Sequence, residues 1–224
     1  MVCAGVLGGF VLVTLLLSGS RGEDPILDQN TLVPVITFLQ KYQPKDGQQY
    51  AIAFNAPADK CGDYLDQSFL KQYPQKTVKG KLNSEERLYK GDRLIAARPK
   101  PIPGTQNNQH SEYRLMKLPN TATSPMANLL NKDKKGCVVF YTYNSPCTST
   151  CINPRNCYNI FDALDIFQKH EGQKAFVFTQ VWQHDCDKDI STNLKEVMKR
   201  VPLYRCRNRQ CVRCEPNNLN MCTT

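Results

Sequence analysis

The sequence His110-Ser111-Glu112 is followed, 33 residues on, by Pro146-Cys147-Thr148-Ser149-Thr150-Cys151, and a fold that brings the two together builds a metal site. One imidazole and two thiolates suit Zn²⁺, and three protein ligands leave its fourth tetrahedral position open to water. An open site of this kind is catalytic, because the metal brings the pKa of its water toward neutrality. A carboxylate beside it, here Glu112, is then placed to carry protons to and from the reacting groups. The apolar run Gly136-Cys137-Val138-Val139-Phe140-Tyr141-Thr142-Tyr143 reads as a strand leading into the Pro-Cys. The plainer alternative makes Cys147 and Cys151 two more disulfide cysteines and His110 a loop residue.

The order H-x-E, P-C, second Cys resembles the signature of zinc-dependent nucleobase deaminases. From Tyr50 to Arg207 the chain resembles the AID/APOBEC-like cytidine deaminases, most closely a secreted branch of that group. Phe178-Thr179-Gln180-Val181-Trp182 and the loop through Asp185-Cys186-Asp187 are similar to that family's fourth strand and substrate-selecting loop. The resemblance implies an α/β fold: a cytidine-deaminase-like three-layer sandwich, with a mixed five-stranded sheet whose last two strands are parallel and helices on both faces. It implies Zn²⁺ on His110, Cys147 and Cys151, Glu112 as the catalytic acid and base, and hydrolytic conversion of cytosine to uracil. For the substrate it implies contacts from Asn108, Tyr143, Ser145, Trp182 and His184, with the 182–186 loop reading the base 5′ to the target. Two departures stand out. Asn144 occupies the position before Ser-Pro-Cys that is usually aromatic, with Tyr143 one step earlier, so the pocket wall differs. The two cysteines are separated by three residues where two is commoner, and Asn153-Pro154 has the form of a helix start, which makes Cys157 a rival third ligand.

The chain opens with an apolar run from Ala4 to Leu17, then Ser18-Gly19-Ser20 and charged residues. The run is shorter than the ~20 residues of a spanning helix, and Ser18-x-Ser20 is a small-x-small cleavage site. Residues 1–20 therefore read as a signal peptide, 21–207 as the deaminase domain and 208–224 as a Cys-rich tail, giving a secreted, extracellular protein with no membrane partner after cleavage. Of 11 cysteines, setting aside Cys3 and the two metal candidates leaves eight: Cys61, Cys137, Cys157, Cys186, Cys206, Cys211, Cys214 and Cys222. An even set in an oxidising compartment reads as four disulfides of unassigned pairing. The spacing of the tail cysteines also fits a small zinc knuckle.

Along the chain, Leu32, Val35, Ile36 and Leu39 share one helical face, and Tyr50–Phe54 reads as a strand. Residues 55–91 read as a long polar loop or hairpin extension carrying Cys61, and Arg93–Ala97 as a second strand. A helix opening near His110 is cut by Pro119 and resumes at Ser124-Pro125, with Ser as N-cap and Pro in the first turn. Cys137–Tyr143 is apolar on both faces and reads as a central strand. Tyr141 and Tyr143 share a strand face, where core packing competes with base stacking. His170 is placed to meet carbonyls at a helix end.

A helical stripe at Ile190, Leu194, Val197 and Val201 separates the Phe176–Trp182 strand from Leu203–Arg207, and a crossover of that length permits a parallel pair. Parallel final strands resemble the nucleic-acid deaminases rather than the free-nucleoside ones, so the expected partner is single-stranded DNA or RNA, or exposed cytosine bases. The charge of +9, from 29 basic and 20 acidic residues, agrees with a phosphate partner. The basic residues gather at Arg87-Lys90-Arg93, Lys132-Lys134-Lys135 and the tail run from Lys199 to Arg213. The same charge also fits a solvated basic surface or attraction to acidic glycans. Two other functions share these features: a catalytically silent secreted nucleic-acid-binding or defence protein, and an adenine deaminase.

Overall fold

The run from Cys137 to Asn144 is the middle strand of a seven-stranded sheet in the computed structural model, which describes residues 26–62 and 65–224. The apolar N-terminal run and its cleavage signal lie outside the described residues. The strands are β1 (Ala51–Ala56), β2 (Leu88–Lys90), β3 (Leu94–Ala97), β6 (Cys137–Asn144), β7 (Lys174–Gln180), β8 (Leu203–Arg207) and β9 (Gln210–Arg213), in the order β2-β3-β1-β6-β7-β8-β9. A separate ribbon pairs β4 (Lys100–Pro101) with β5 (Asn108–Gln109). The helices are α1 (Gln29–Gln40), α2 (Gln67–Gln72), α3 (Gln75–Asn83), α4 (Ser111–Met116), α5 (Pro125–Lys132), α6 (Phe161–Gln168), α7 (Ser191–Met198) and α8 (Asn220–Thr223).

Strand alternation sorts the core into two layers. Ala51, Ala53, Val138 and Phe140 pack with Leu115, Met126, Leu164, Phe167, Leu194 and Val197 from α4 to α7. Ile52, Phe54, Val139 and Tyr141 point the other way, against Leu32, Val35, Phe69, Val78 and Leu82 from α1 to α3. The result is the expected three-layer α/β sandwich. β6 runs parallel to β7 and β7 parallel to β8, with α7 as the second crossover.

The sheet has seven strands rather than five. β2 is three residues long, too short for an alternating pattern to register. β9 returns from β8 through Asn208 and Arg209, which both have positive φ (52° and 58°). That is a two-residue hairpin turn made without the glycine that usually marks one. The segment following residue 207 thus adds a strand to the sheet edge.

The expected loop at 55–91 contains α2, α3 and β2. Asp66 caps α2 by accepting from Ser68 N at 2.8 Å and Phe69 N at 3.0 Å. These helices bury only Phe69, Val78 and Leu82, a stripe too thin to give a helical period. Asn153-Pro154 starts no helix; that segment is a run of turns, for a reason given below. Ser124 does cap α5, accepting from Ala127 N at 3.1 Å. His170 is buried, and its Nε2 donates to the Gly136 carbonyl at 2.7 Å, at the entry to β6 rather than at a helix end.

Among the described residues three disulfides form rather than four: Cys61–Cys137, Cys206–Cys211 and Cys214–Cys222. Cys157 and Cys186 are exposed and unpaired. The first bridge joins residues 76 apart in sequence, a closure worth roughly 4–5 kcal/mol on the chain-entropy estimate. It fastens the segment leading to α2 onto the central strand.

Candidate functional site

β6 ends at Asn144, and the chain turns through Ser145-Pro146 into the cysteine segment. Ile152 N donates to Cys147 O at 3.1 Å, so residues 147–152 close one π-type turn. Residues four apart on such a turn face the same side. This explains how three intervening residues still pair Cys147 with Cys151. On the other flank, β5 delivers His110 to the N-cap position of α4. His110 Nδ1 lies 3.1 Å from Cys151 Sγ and 3.5 Å from Cys147 Sγ, and all three donor atoms are within 4.8 Å of one another.

Bond lengths of ~2.0–2.1 Å to nitrogen and ~2.3 Å to sulfur in a tetrahedron put such donors about 3.5–3.8 Å apart. The three residues fit zinc in both chemistry and spacing. Hydrogen bonding from Cys151 and then from His110 pulls the Cys147 thiol down to about 3 against the opposing effect of burial. The bond to Cys147, with burial, pushes Cys151 well above the usual thiol range. Burial disfavours charge on His110, yet its hydrogen bond and attraction to Cys147 raise it on balance. Zinc takes neutral imidazole and thiolates, so its binding would displace the protons that these shifts favour on His110 and Cys151.

Glu112 stands outside this cluster, in the first turn of α4, 2% exposed. Its Oε1 accepts from Thr142 Oγ1 at 2.7 Å and Gln49 Nε2 at 3.1 Å, and its Oε2 accepts from Ser111 Oγ at 3.1 Å. Burial raises its pKa, while the His110 charge and the Thr142 bond oppose the rise. On the far side of α4, Arg114 donates to the carbonyls of Glu86, Arg87 and Arg98. That clamp fixes the helix carrying the carboxylate against the segments that flank β2 and β3.

A pocket opens over these groups, lined by His110, Glu112 and Cys147 together with Asn108, Ser145 and Trp182 from the sequence-derived set, and by Gln49, Pro99 and Asn144. Tyr143 is not among them. Strand parity puts Thr142 and Asn144 on the site's face of β6 and turns Tyr143 toward the opposite layer, where it packs against the α1–α3 core. His184 is exposed and does not line the pocket; its ring meets Trp182 at 5.1 Å between centroids. Trp182 both packs against the core and faces the pocket. Cys157 lies outside the donor cluster.

Residues 29–224 match the family described as Secreted Novel AID/APOBEC-like Deaminase 1. The chain belongs to that family. No curated protein and no solved structure matches it. The Secreted Novel AID/APOBEC-like Deaminase 1 match runs through β9 and the tail cysteines, beyond the Tyr50–Arg207 span over which the sequence alone resembled AID/APOBEC-like enzymes. Membership in this deaminase family agrees with the open three-donor cluster and the buried carboxylate beside it.

One residue of the site had no sequence signal, and for a second the sequence pointed to its loop but not to its contacts. Gln49 precedes β1 in no motif, yet its Nε2 reaches Glu112, Ser111 and Thr142, and its Oε1 accepts from Asn144 N at 2.9 Å. Asp185, 1% exposed in a polar loop, accepts from Thr148 N at 2.8 Å and Thr148 Oγ1 at 2.6 Å and pairs with Lys188. It ties the loop after β7 to the cysteine turn. Several of the basic residues expected to form a phosphate surface are committed internally. Lys132, Lys199 and Arg200 pair with Asp92, Glu196 and Asp165. Arg205 is buried against the carbonyls of Thr179, Met221 and Thr224.

Proposed function

We propose that this protein is a secreted zinc-dependent deaminase that hydrolyses cytosine to uracil in single-stranded DNA or RNA, consuming one water and releasing one ammonia per base. The observation that carries the reading is the buried Glu112 carboxylate, held beside the His110, Cys147 and Cys151 donors without joining them, at the floor of an open pocket. A structural zinc would fill all four positions with protein ligands and needs no such neighbour. Zinc bound by His110, Cys147 and Cys151 supplies a water of lowered pKa.

The remaining work falls to the chain. Glu112 would carry two protons in turn, one from the attacking water to the ring nitrogen and the second from the added hydroxyl to the departing amine as the C–N bond breaks. Thr142, Ser111 and Gln49 hold its two oxygens in a fixed direction, so reorientation costs little at the moment of transfer. The indole of Trp182, at the carboxyl ends of the parallel strands, offers a face on which a base can stack for ~1–3 kcal/mol. Asn108, Asn144 and Ser145 give the pocket its polar wall. The family description, three disulfides and the absence, among the described residues, of a helix long and apolar enough to cross a membrane support an extracellular site of action.

Refolded, zinc-loaded protein incubated with single-stranded DNA and RNA pools and then sequenced is expected to leave C-to-U changes. A-to-I changes would reassign the substrate to adenine. No change in either pool, with zinc bound, would favour the catalytically silent binding protein.

Gln49 gives a finer test of the same site. Gln49→Leu keeps the bulk but removes a donor to Glu112 and the acceptor for Asn144 N. The groups left unpaired in a buried site cost about 1–3 kcal/mol, or roughly 10–100-fold in kcat if the loss falls on the transition state. KM and zinc content are expected to change little. A kcat equal to wild type would remove Gln49 from the positioning of Glu112.

A further inference from the structure

Next to the reactive pocket lies a second, larger cavity, about 350 Å³ against about 130 Å³. The two share Asn108 and His110, so they meet at β5 and the first metal donor. Trp182, Asn144 and Ser145 line only the first; Asn107, Arg155, Asn156 and Tyr158 line only the second. A strand whose target base enters the first pocket therefore has a continuation past Asn108, on the side away from the 182–186 loop.

The lining of this cavity is chemically one-sided. No acidic residue borders it, and Arg155 is exposed and, among the described residues, pairs with no carboxylate. Its loop is held in place by its own asparagines. The Asn153 and Asn156 amides each donate to Ser149 O at 3.2 Å, Asn153 Oδ1 accepts from Arg155 N at 3.0 Å, and Asn156 Oδ1 accepts from Tyr158 N at 2.9 Å. Side chains that satisfy the backbone locally compete with helix formation, which is why Asn153-Pro154 begins none. The loop backbone is thus held before any ligand arrives, so binding one costs little backbone ordering.

We infer that this cavity is a subsite for the nucleotide flanking the target base, with Arg155 on its phosphate. The inference rests on the single-strand reading above. A guanidinium suits a phosphodiester because its fork of N–H donors matches the two free oxygens. Free nucleosides have no phosphate to offer there, so the subsite makes a polymer the better ligand.

The test is equilibrium binding of zinc-loaded wild type and Arg155→Ala to a short single-stranded oligonucleotide containing one cytosine, over a range of salt. Removing one phosphate contact from a single strand is expected to reduce the slope of log K against log salt by about 0.7, and Arg155→Lys should restore it. A second readout uses Cys157, which lines the cavity. In a Cys186→Ser background, where Cys157 is the remaining exposed free thiol among the described residues, bound oligonucleotide is expected to slow its alkylation several-fold. An unchanged slope in Arg155→Ala, or a Cys157 that alkylates equally fast with and without oligonucleotide, overturns the subsite. Wild-type protein that binds no single strand overturns the parent reading as well.

Discussion

Glu112→Gln is expected to lose about 10²–10⁴-fold in deamination rate, the usual worth of a positioned proton carrier, while keeping its zinc and its fold. The geometry makes this a clean substitution. The amide oxygen at the Oε1 position still accepts from Thr142 and Gln49, and the new NH₂ at the Oε2 position finds the Ser111 hydroxyl, which turns to accept. Shape and partners are retained, and only the capacity to hold a proton is lost. A neutral side chain is also cheaper to bury than a carboxylate. The thermal midpoint should therefore equal or exceed that of wild type. Single-turnover rates, zinc content and a melting curve on the same preparation check all three statements. A variant that deaminates at the wild-type rate would mean that proton transfer runs through another group.

The second large effect concerns the metal. Wild-type protein is expected to carry about one tightly held zinc per chain. His110→Ala and Cys147→Ala should each lower zinc affinity by more than the 10–100-fold that loss of a mere outer-shell partner costs, and activity should fall with it. Cys222→Ser, which opens only the Cys214–Cys222 bridge, should keep its zinc. Atomic absorption on dialysed protein distinguishes the two patterns. Zinc retained without His110 and lost with Cys222 would move the site to the tail cysteines. The tail bridges argue against that outcome, because Cys206, Cys211, Cys214 and Cys222 already spend their sulfurs on one another.

What the sequence disclosed about this site followed from its chemistry. His110, Glu112, Cys147 and Cys151 are chemically distinctive residue types in an order and spacing that suit a metal site, and β6 announced itself by continuous apolar character. Features set by geometry stayed hidden. Whether Tyr143 or Asn144 faces the pocket depends on strand parity, which a run apolar on both faces does not reveal. The β8–β9 hairpin turns on two left-handed residues, Asn208 and Arg209, whose positive φ is paid for by strand pairing and the Cys206–Cys211 bridge. Gln49 and Asp185 are ordinary polar residues in polar surroundings, and their roles exist only once the fold brings distant partners within reach.

The ties between the cysteine turn and the loop after β7 have a consequence for how a base is chosen. Ser145 N donates to Gln180 O, Trp182 N donates to Ser145 Oγ, and Thr148 reaches Asp185 twice. The indole wall and the sulfur-bearing floor are therefore tied at several points, and parting them like jaws would break these bonds. On the proposed single-strand reading, selection at this edge would be by fit to a fixed template, through steric misfit and unmatched polar groups rather than by closing around the right guest.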